Sequence, residues 1–279
     1  MLTKQIYANK ANLVYIPRMT TYIVTDSRGR GLQVFFGEKP KISKSEYTSV
    51  QVECACLPGA SIDSIRVHLA QQIPKVRPDT IVIAAGICCL TTKTSLGRKR
   101  VLLYHKDEQT RAETVNNICR DFRQLHREFT NENCRVILAT IPPASIVKYF
   151  CTNNPNHQPP DYLEEEQQAL IEDIEEVNKC ITQINDTCGL PTVDWDRYTY
   201  HESLKRRRSG TVRTRKRKFV DLNLPDGVHF NSKLQTQVFS RLYNQLRDLY
   251  GDSSQLNTSQ ESESDNEYNF KRQKNSTKQ

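Results

Sequence analysis

Hydrophobic and polar positions along this chain alternate between the period of a strand and the period of a helix. Tyr22-Ile23-Val24 is a short β-rich run that stops at Thr25-Asp26-Ser27, and Ser49 to Ala55 alternates as a strand does. Ile62, Ile65, Leu69 and Ile73 then recur at helical spacing. Pro78-Asp79 introduces Thr80-Ile81-Val82-Ile83-Ala84-Ala85, a run that predicts a central parallel strand buried on both faces. Val115, Ile118, Phe122, Leu125 and Phe129 follow at spacings of 3, 4, 3 and 4, an amphipathic helix. Arg135 to Ile141 predicts another buried strand, stopped by Pro142-Pro143.

A second long stripe runs through Leu163, Leu170, Ile174, Val177, Ile181 and Ile184, with glutamates on its outer face. Gly189-Leu190-Pro191 ends it, and Thr192-Val193-Asp194-Trp195 predicts a last short strand. Cys151 to Pro160, rich in Asn and Pro, predicts a long loop, and Leu234, Val238, Leu242, Leu246 and Leu249 mark a C-terminal helix. Repeated strand–helix units of this length imply a three-layer α/β/α fold with a mostly parallel central sheet. The expected organisation is an N-terminal extension (1–19), one folded domain (20–250) and a polar, disordered tail (251–279).

Composition narrows the setting. The chain has 279 residues, 37% of them hydrophobic, and a mean hydropathy of −0.66, so solvated length accompanies a real core. No apolar run is long enough to span a bilayer, and Met1 to Arg18 lacks the apolar region of a signal peptide. An intracellular protein of the cytoplasm or nucleus is expected. Nine cysteines, an odd number with no C-x-x-C pair, predict buried free thiols rather than a disulfide framework or a zinc site.

The net charge of +8 belongs to one segment. Lys205 to Lys218 holds nine of the 40 bases and no acid, and the remaining 31 bases face 32 acids. Its two clusters, Lys205-Arg206-Arg207-Arg208 and Arg215-Lys216-Arg217-Lys218, predict an exposed basic loop at about 201–220. That loop is a candidate contact for nucleic-acid phosphates or for an import receptor.

In a parallel α/β sheet, functional groups gather beyond the carboxyl ends of the strands. Four segments are placed to do so: Thr25-Asp26-Ser27-Arg28-Gly29, Leu57-Pro58-Gly59-Ala60-Ser61, Ala85-Gly86-Ile87-Cys88-Cys89, and Leu224-Pro225-Asp226-Gly227-Val228-His229-Phe230. A serine on a glycine-bearing turn can project its hydroxyl. An Asp three residues before a His can fix the imidazole's tautomer while its far nitrogen faces a nucleophile. Taken singly, each segment is equally well a turn leading to a helix.

In this order the four segments resemble the SGNH (GDSL-like) hydrolases over roughly residues 20 to 250. Thr25-Asp26-Ser27 stands for the family's Gly-Asp-Ser, Gly59 for its second-block glycine, Gly86-Ile87-Cys88-Cys89 for Gly-x-Asn-Asp, and Asp226-Gly227-Val228-His229 for Asp-x-x-His. The resemblance implies Ser27 as nucleophile, His229 as general base and Asp226 as its orienting carboxylate, acting on a small acyl ester with no cofactor and no metal. It also implies an oxyanion hole of the Ser27 and Gly59 backbone N–H groups and a third donor at Cys88. There the family's asparagine amide is replaced by a thiol, a weak donor. The Ala-Gly-Ile-Cys and Asp-Gly-Val-His-Phe-Asn stretches further resemble SGNH-like domains of invertebrate transposable elements. Two functions follow: a serine esterase or deacylase, or a domain that has lost catalysis and binds nucleic acid or protein.

Overall fold

The computed structural model describes residues 6–9, 12–15, 18–39, 42–45, 48–104, 107–131, 133–206 and 213–251. The first elements are β1 (Ile6–Asn9), β2 (Asn12–Tyr15), β3 (Arg18–Thr25), α1 (Leu32–Glu38), β4 (Ile42–Ser45), β5 (Thr48–Cys56) and α2 (Ile62–Val76). There follow β6 (Thr80–Ala84), α3 (Ile87–Leu90), β7 (Thr92–Leu96), β8 (Lys99–Leu103), α4 (Glu108–Phe129) and β9 (Arg135–Leu138). The last are α5 (Ile146–Asn153), α6 (Tyr162–Thr187), β10 (Tyr200–Arg206), β11 (Arg213–Phe219) and α7 (Ser232–Gly251). Two compact units result, one drawn from 1–19, 40–51 and 243–279, the other from 20–39 and 52–242. In the first, β1 pairs antiparallel with β2, and β4 pairs antiparallel with the start of β5, Ile42 opposite Val50.

The second unit is α/β, a mostly parallel sheet flanked by helices, as the alternating pattern predicts. Its strands lie in the order β5-β3-β6-β9, with β3–β6 and β6–β9 parallel. All five residues of β6 are buried, which is why that run carries no outward polar positions. Ile65 and Leu69 of α2, Phe122 and Leu125 of α4, and Ile174, Val177 and Ile181 of α6 close over the sheet's side chains with no exposure. Side-chain caps fix where the helices begin. Ser61 accepts from Ser64 N, Asp107 from Thr110 N and Ser145 from Lys148 N.

Two departures from the sequence pattern have local causes. Thr192–Trp195 contributes only an isolated parallel bridge, Ala139 to Val193. The end of β9 and the residues just after it are instead met by asparagine amides of α6. Asn185 accepts from Leu138 N (3.0 Å) and donates to Leu138 O (2.8 Å), and Asn178 repeats the pattern on Ile141 at 2.6 and 3.0 Å. A side-chain amide thereby supplies what a neighbouring strand would. Second, Cys151–Asn153 belong to α5, so the loop is confined to Asn154–Pro160. The polar tail beyond Gly251 lies outside the described residues. Among the described residues no helix is long and apolar enough to cross a membrane.

Candidate active site

Ser27 stands where β3 ends and the chain turns. Asp26 N donates to Ala84 O on β6, and the Asp26 carboxylate accepts from Arg28 N at 2.9 Å, capping a single 3-10 turn over Ser27–Gly29. The turn is therefore fixed by its neighbour strand and by its own cap. Burial raises the Asp26 pKa, and the charge of Arg28 and the hydrogen bond from its N–H oppose that rise.

The second piece comes from the other end of the unit. Asp226 Oδ1 accepts from Val228 N (3.0 Å) and His229 N (2.7 Å), folding the four residues into a tight turn. Gly227 makes this possible. Its φ is +80°, and a Cβ there would stand 2.4 Å from Ser145 O and 2.6 Å from Tyr149 N. The same glycine's carbonyl accepts from Ser145 N at 2.6 Å, so the turn is seated on the start of α5.

With the turn closed, His229 Nδ1 lies 2.6 Å from Asp226 Oδ2 and His229 Nε2 lies 2.9 Å from Ser27 Oγ. An ionised carboxylate only accepts, so Nδ1 carries the proton and Nε2 is left to accept from the Ser27 hydroxyl. Burial would raise the Asp226 pKa. The hydrogen bonds from the His229 backbone, the imidazole and Val228 N outweigh it and hold the carboxyl below its ordinary value. Ser27, His229 and Asp226, singled out from the sequence, are thus joined in one hydrogen-bonded chain.

Arg28 was not legible as a site residue. Nothing in Ser27-Arg28-Gly29-Arg30 separates it from its exposed neighbour Arg30, yet only 1% of Arg28 is exposed. Its Nε donates to Val228 O at 3.0 Å, one terminal nitrogen to Pro143 O at 3.2 Å and the other to Pro142 O. The guanidinium lies 5.7 Å from the centre of the Phe230 ring. Burial lowers its pKa, and Asp26 is the first of the charges that counter this. One side chain ties the Ser27 turn, the Pro142-Pro143 stop after β9 and the His229 turn together.

Gly59 and Cys88, the other residues singled out from the sequence, lie on segments held to their neighbours by local hydrogen bonds. Leu57 N donates to Thr25 O (2.8 Å) and Cys56 Sγ to Asp26 O (3.2 Å), which lays the Leu57–Ser61 loop against the Ser27 turn. Gly59 in that loop is exposed, has a φ of +76° and has open space where a Cβ would be. Cys88 is on α3, whose next residue, Cys89, accepts from Ile62 N at 3.3 Å and so fixes α3 to the start of α2. Burial and then Asp26 raise the Cys88 pKa, with Arg28 and Lys93 opposing, so the group there is a thiol.

The basic stretch is a ribbon. β10 and β11 pair antiparallel from Tyr200 opposite Phe219 to Arg206 opposite Arg213. Lys205 and Arg206 lie on β10, and Arg215, Lys216, Arg217 and Lys218 on β11, while Arg207 and Arg208 lie outside the described residues. Val220 N donates to Thr199 O at 2.8 Å and closes the ribbon's base. Among the described residues no group of three or more His, Cys, Asp or Glu is arranged to hold a metal ion.

Comparison with solved structures decides the fold. A lipase/acylhydrolase from Enterococcus faecalis superposes with a TM-score of 0.51 at 15% identity, over 82% of this chain and 95% of that one. A GDSL-like lipase from Bacteroides thetaiotaomicron gives 0.51 at 12% identity, over 82% and 87%. This is the SGNH/GDSL hydrolase fold. No protein-family model and no curated protein matches the sequence, so the likeness is one of SGNH architecture at identities far below those of close relatives.

Proposed function

We propose that this SGNH domain is a serine hydrolase that cleaves a carboxylic ester through an acyl-enzyme. The observation that carries the reading is the continuous run from Ser27 Oγ through His229 to Asp226, with contacts of 2.9 and 2.6 Å. Ser27 Oγ adds to the ester carbonyl carbon as its proton passes to His229 Nε2. The bond to the alcohol oxygen then breaks, and the alcohol leaves with that proton. Water next attacks the acyl carbon and gives a proton to Nε2, which returns it to Ser27 Oγ as the acid departs. Asp226 stays ionised throughout, holding the imidazole's tautomer and stabilising the imidazolium.

The negative oxygen of each tetrahedral intermediate would take hydrogen bonds from the Ser27 and Gly59 backbone N–H groups. With a thiol at Cys88 as the third group, turnover is expected to be slow. Loss of one such donor typically lowers kcat by about 10²- to 10³-fold. A chromogenic short-chain ester should give a burst of product equal to the enzyme present, lost in Ser27→Ala. A fluorophosphonate should label the parent protein and spare Ser27→Ala. Folded protein that resists labelling at Ser27 would overturn the reading.

Cys88 and the basic ribbon favour one other reading, a domain that no longer turns over esters and grips nucleic acid through β10 and β11. Binding of that kind is blind to sequence and falls steeply with salt. It predicts that neutralising Lys205, Arg206, Arg207, Arg208, Arg215, Lys216, Arg217 and Lys218 abolishes binding to a DNA or RNA oligonucleotide. Import through the same cluster would show as loss of nuclear accumulation. All nine cysteines are free thiols, which suits a reducing compartment and supports the cytoplasm or nucleus as the proposed location.

A further inference from the structure

A second concentration of positive charge lies in the segment that follows β6. From Gly86 to Tyr104 the chain carries four cations, Lys93, Arg98, Lys99 and Arg100, and no carboxylate. This stretch folds as the antiparallel ribbon β7–β8, directly after the helix that holds Cys88. Among the described residues, none of the four takes part in an ion pair. Basic side chains that merely decorate a surface usually find acids nearby; this stretch supplies none of its own, and the acid that feels Lys93 is Asp26, next to Ser27.

Lys93 is the member turned toward the site. Its Nζ lies 5.7 Å from the centre of the Tyr149 ring. Tyr149 N and Cα are, in turn, the atoms against which Gly227, between Asp226 and His229, is packed. The helix α5 braces both sides. At one end Ser145 N donates to Gly227 O, and at the other the Asn154 side chain accepts from Arg100 N (3.0 Å) and donates to Arg100 O (2.8 Å). The ribbon and the His229 turn are therefore held in register by one helix. The Lys93 charge is also felt at Asp26 and Cys88, where it eases the rise in both pKa values.

We propose that Lys93 selects the substrate: the ester taken by this site carries a carboxylate, which the Lys93 ammonium binds beside Tyr149 while the ester carbonyl reaches Ser27. The proposal rests on the serine-hydrolase reading for its chemistry, and on the geometry of β7, α5 and the His229 turn for its binding. A lysine offers a compact point charge without a bidentate fork, so it suits a single anionic group, and one carboxylate is the simplest such group an ester substrate can carry. A ligand lying over the Tyr149 ring would displace water from the ammonium and strengthen a contact that is weak while exposed.

Binding can be read without turnover. In Ser27→Ala, calorimetric titration at low salt should show monomethyl succinate binding about tenfold more tightly than uncharged dimethyl succinate, the worth of one charge-assisted hydrogen bond. Lys93→Gln in the same background should erase that difference, and Lys93→Arg should keep most of it. Arg98→Gln, an equal loss of charge at the far end of the ribbon, should leave it intact. Equal binding of the two esters to Ser27→Ala, or a preference that survives Lys93→Gln, would overturn the proposal. In the protein with Ser27 present, the ratio of kcat/KM for mono-4-nitrophenyl succinate over 4-nitrophenyl butyrate should fall about tenfold in Lys93→Gln. If neither ester is hydrolysed while the Lys93-dependent preference persists, the anion site stands and the hydrolase reading fails.

Discussion

Arg28 Nε lies 3.0 Å from the carbonyl oxygen of Val228, a residue 200 positions along the chain and immediately before His229. This contact explains how a serine near one end and an imidazole near the other hold a hydrogen-bonding separation. The guanidinium fork also takes the Pro142 and Pro143 carbonyls, so a single buried cation satisfies three acceptors from two distant loops. Arg28→Met should leave all three without a donor and lower unfolding stability by about 3 to 5 kcal/mol. Arg28→Lys should recover only part of that, because one ammonium cannot span the fork. Urea denaturation reads the stability, and the rate of fluorophosphonate labelling reads the Ser27–His229 geometry. A stable Arg28→Met protein with the parent labelling rate would show that the clamp positions nothing.

The depressed pKa of Asp226 has a pH signature. A carboxyl held below its ordinary value of 3.8 contributes stability that is fully present above the unfolded pKa. That contribution is lost as pH falls through the lower, folded value. The Tm gap between the parent protein and Asp226→Asn should be widest near neutrality, begin to close below about pH 4 and vanish in stronger acid. A gap that stays constant down to acid pH would mean that the hydrogen bonds to Asp226 do not depend on its charge. Activity should respond differently. Asp226→Asn favours the wrong imidazole tautomer, so kcat should fall by orders of magnitude even at neutral pH, where folding is intact.

The parts of this molecule that could be read from sequence are those set by local pattern. β6 is a buried strand because every residue of its run is buried, and α4 follows its spacing of 3 and 4 residues. Ser27, Asp226 and His229 were legible only together, because the order of the segments that carry them resembles the SGNH blocks, whereas each segment alone reads as a turn. Arg28 was not, since burial of a guanidinium depends on carbonyls more than 100 positions away that no local rule announces. The same holds for Asn178 and Asn185, which look like polar members of a helical stripe and in fact bond the backbone of Ile141, beyond β9, and of Leu138, at its end. The β7–β8 ribbon also gave no signal. Thr92 to Leu103 alternates weakly, and the Asn154 amide that holds Arg100 comes from more than 50 positions away.

Cys88 offers a gain-of-function test. If its thiol stands where an amide would complete the oxyanion hole, Cys88→Asn should raise kcat on a short-chain ester by about 10²- to 10³-fold with little change in KM. Cys88 is only partly buried, and asparagine is slightly larger than cysteine. An unchanged kcat in a folded Cys88→Asn protein would show that the third donor is supplied elsewhere or that chemistry does not limit turnover.

Gly59 and Gly227 separate backbone strain from packing. Their φ values, +76° and +80°, impose nearly the same penalty on an L side chain, about 1 to 2 kcal/mol. At Gly59 a methyl group meets nothing within 4 Å, so Gly59→Ala should lose only that amount. At Gly227 the methyl would stand 2.4 Å from Ser145 O and 2.6 Å from Tyr149 N, both backbone atoms that no rotamer change can move. Gly227→Ala must therefore push the turn off α5, adding roughly 1 to 3 kcal/mol to the backbone term. Because the displaced turn carries Asp226 and His229, it should also slow fluorophosphonate labelling of Ser27, whereas thermal unfolding of Gly59→Ala should shift by the smaller amount alone. Equal destabilisation of the two variants would mean that α5 yields, and that the support it gives to the His229 turn is looser than a 2.6 Å hydrogen bond from Ser145 N to Gly227 O implies.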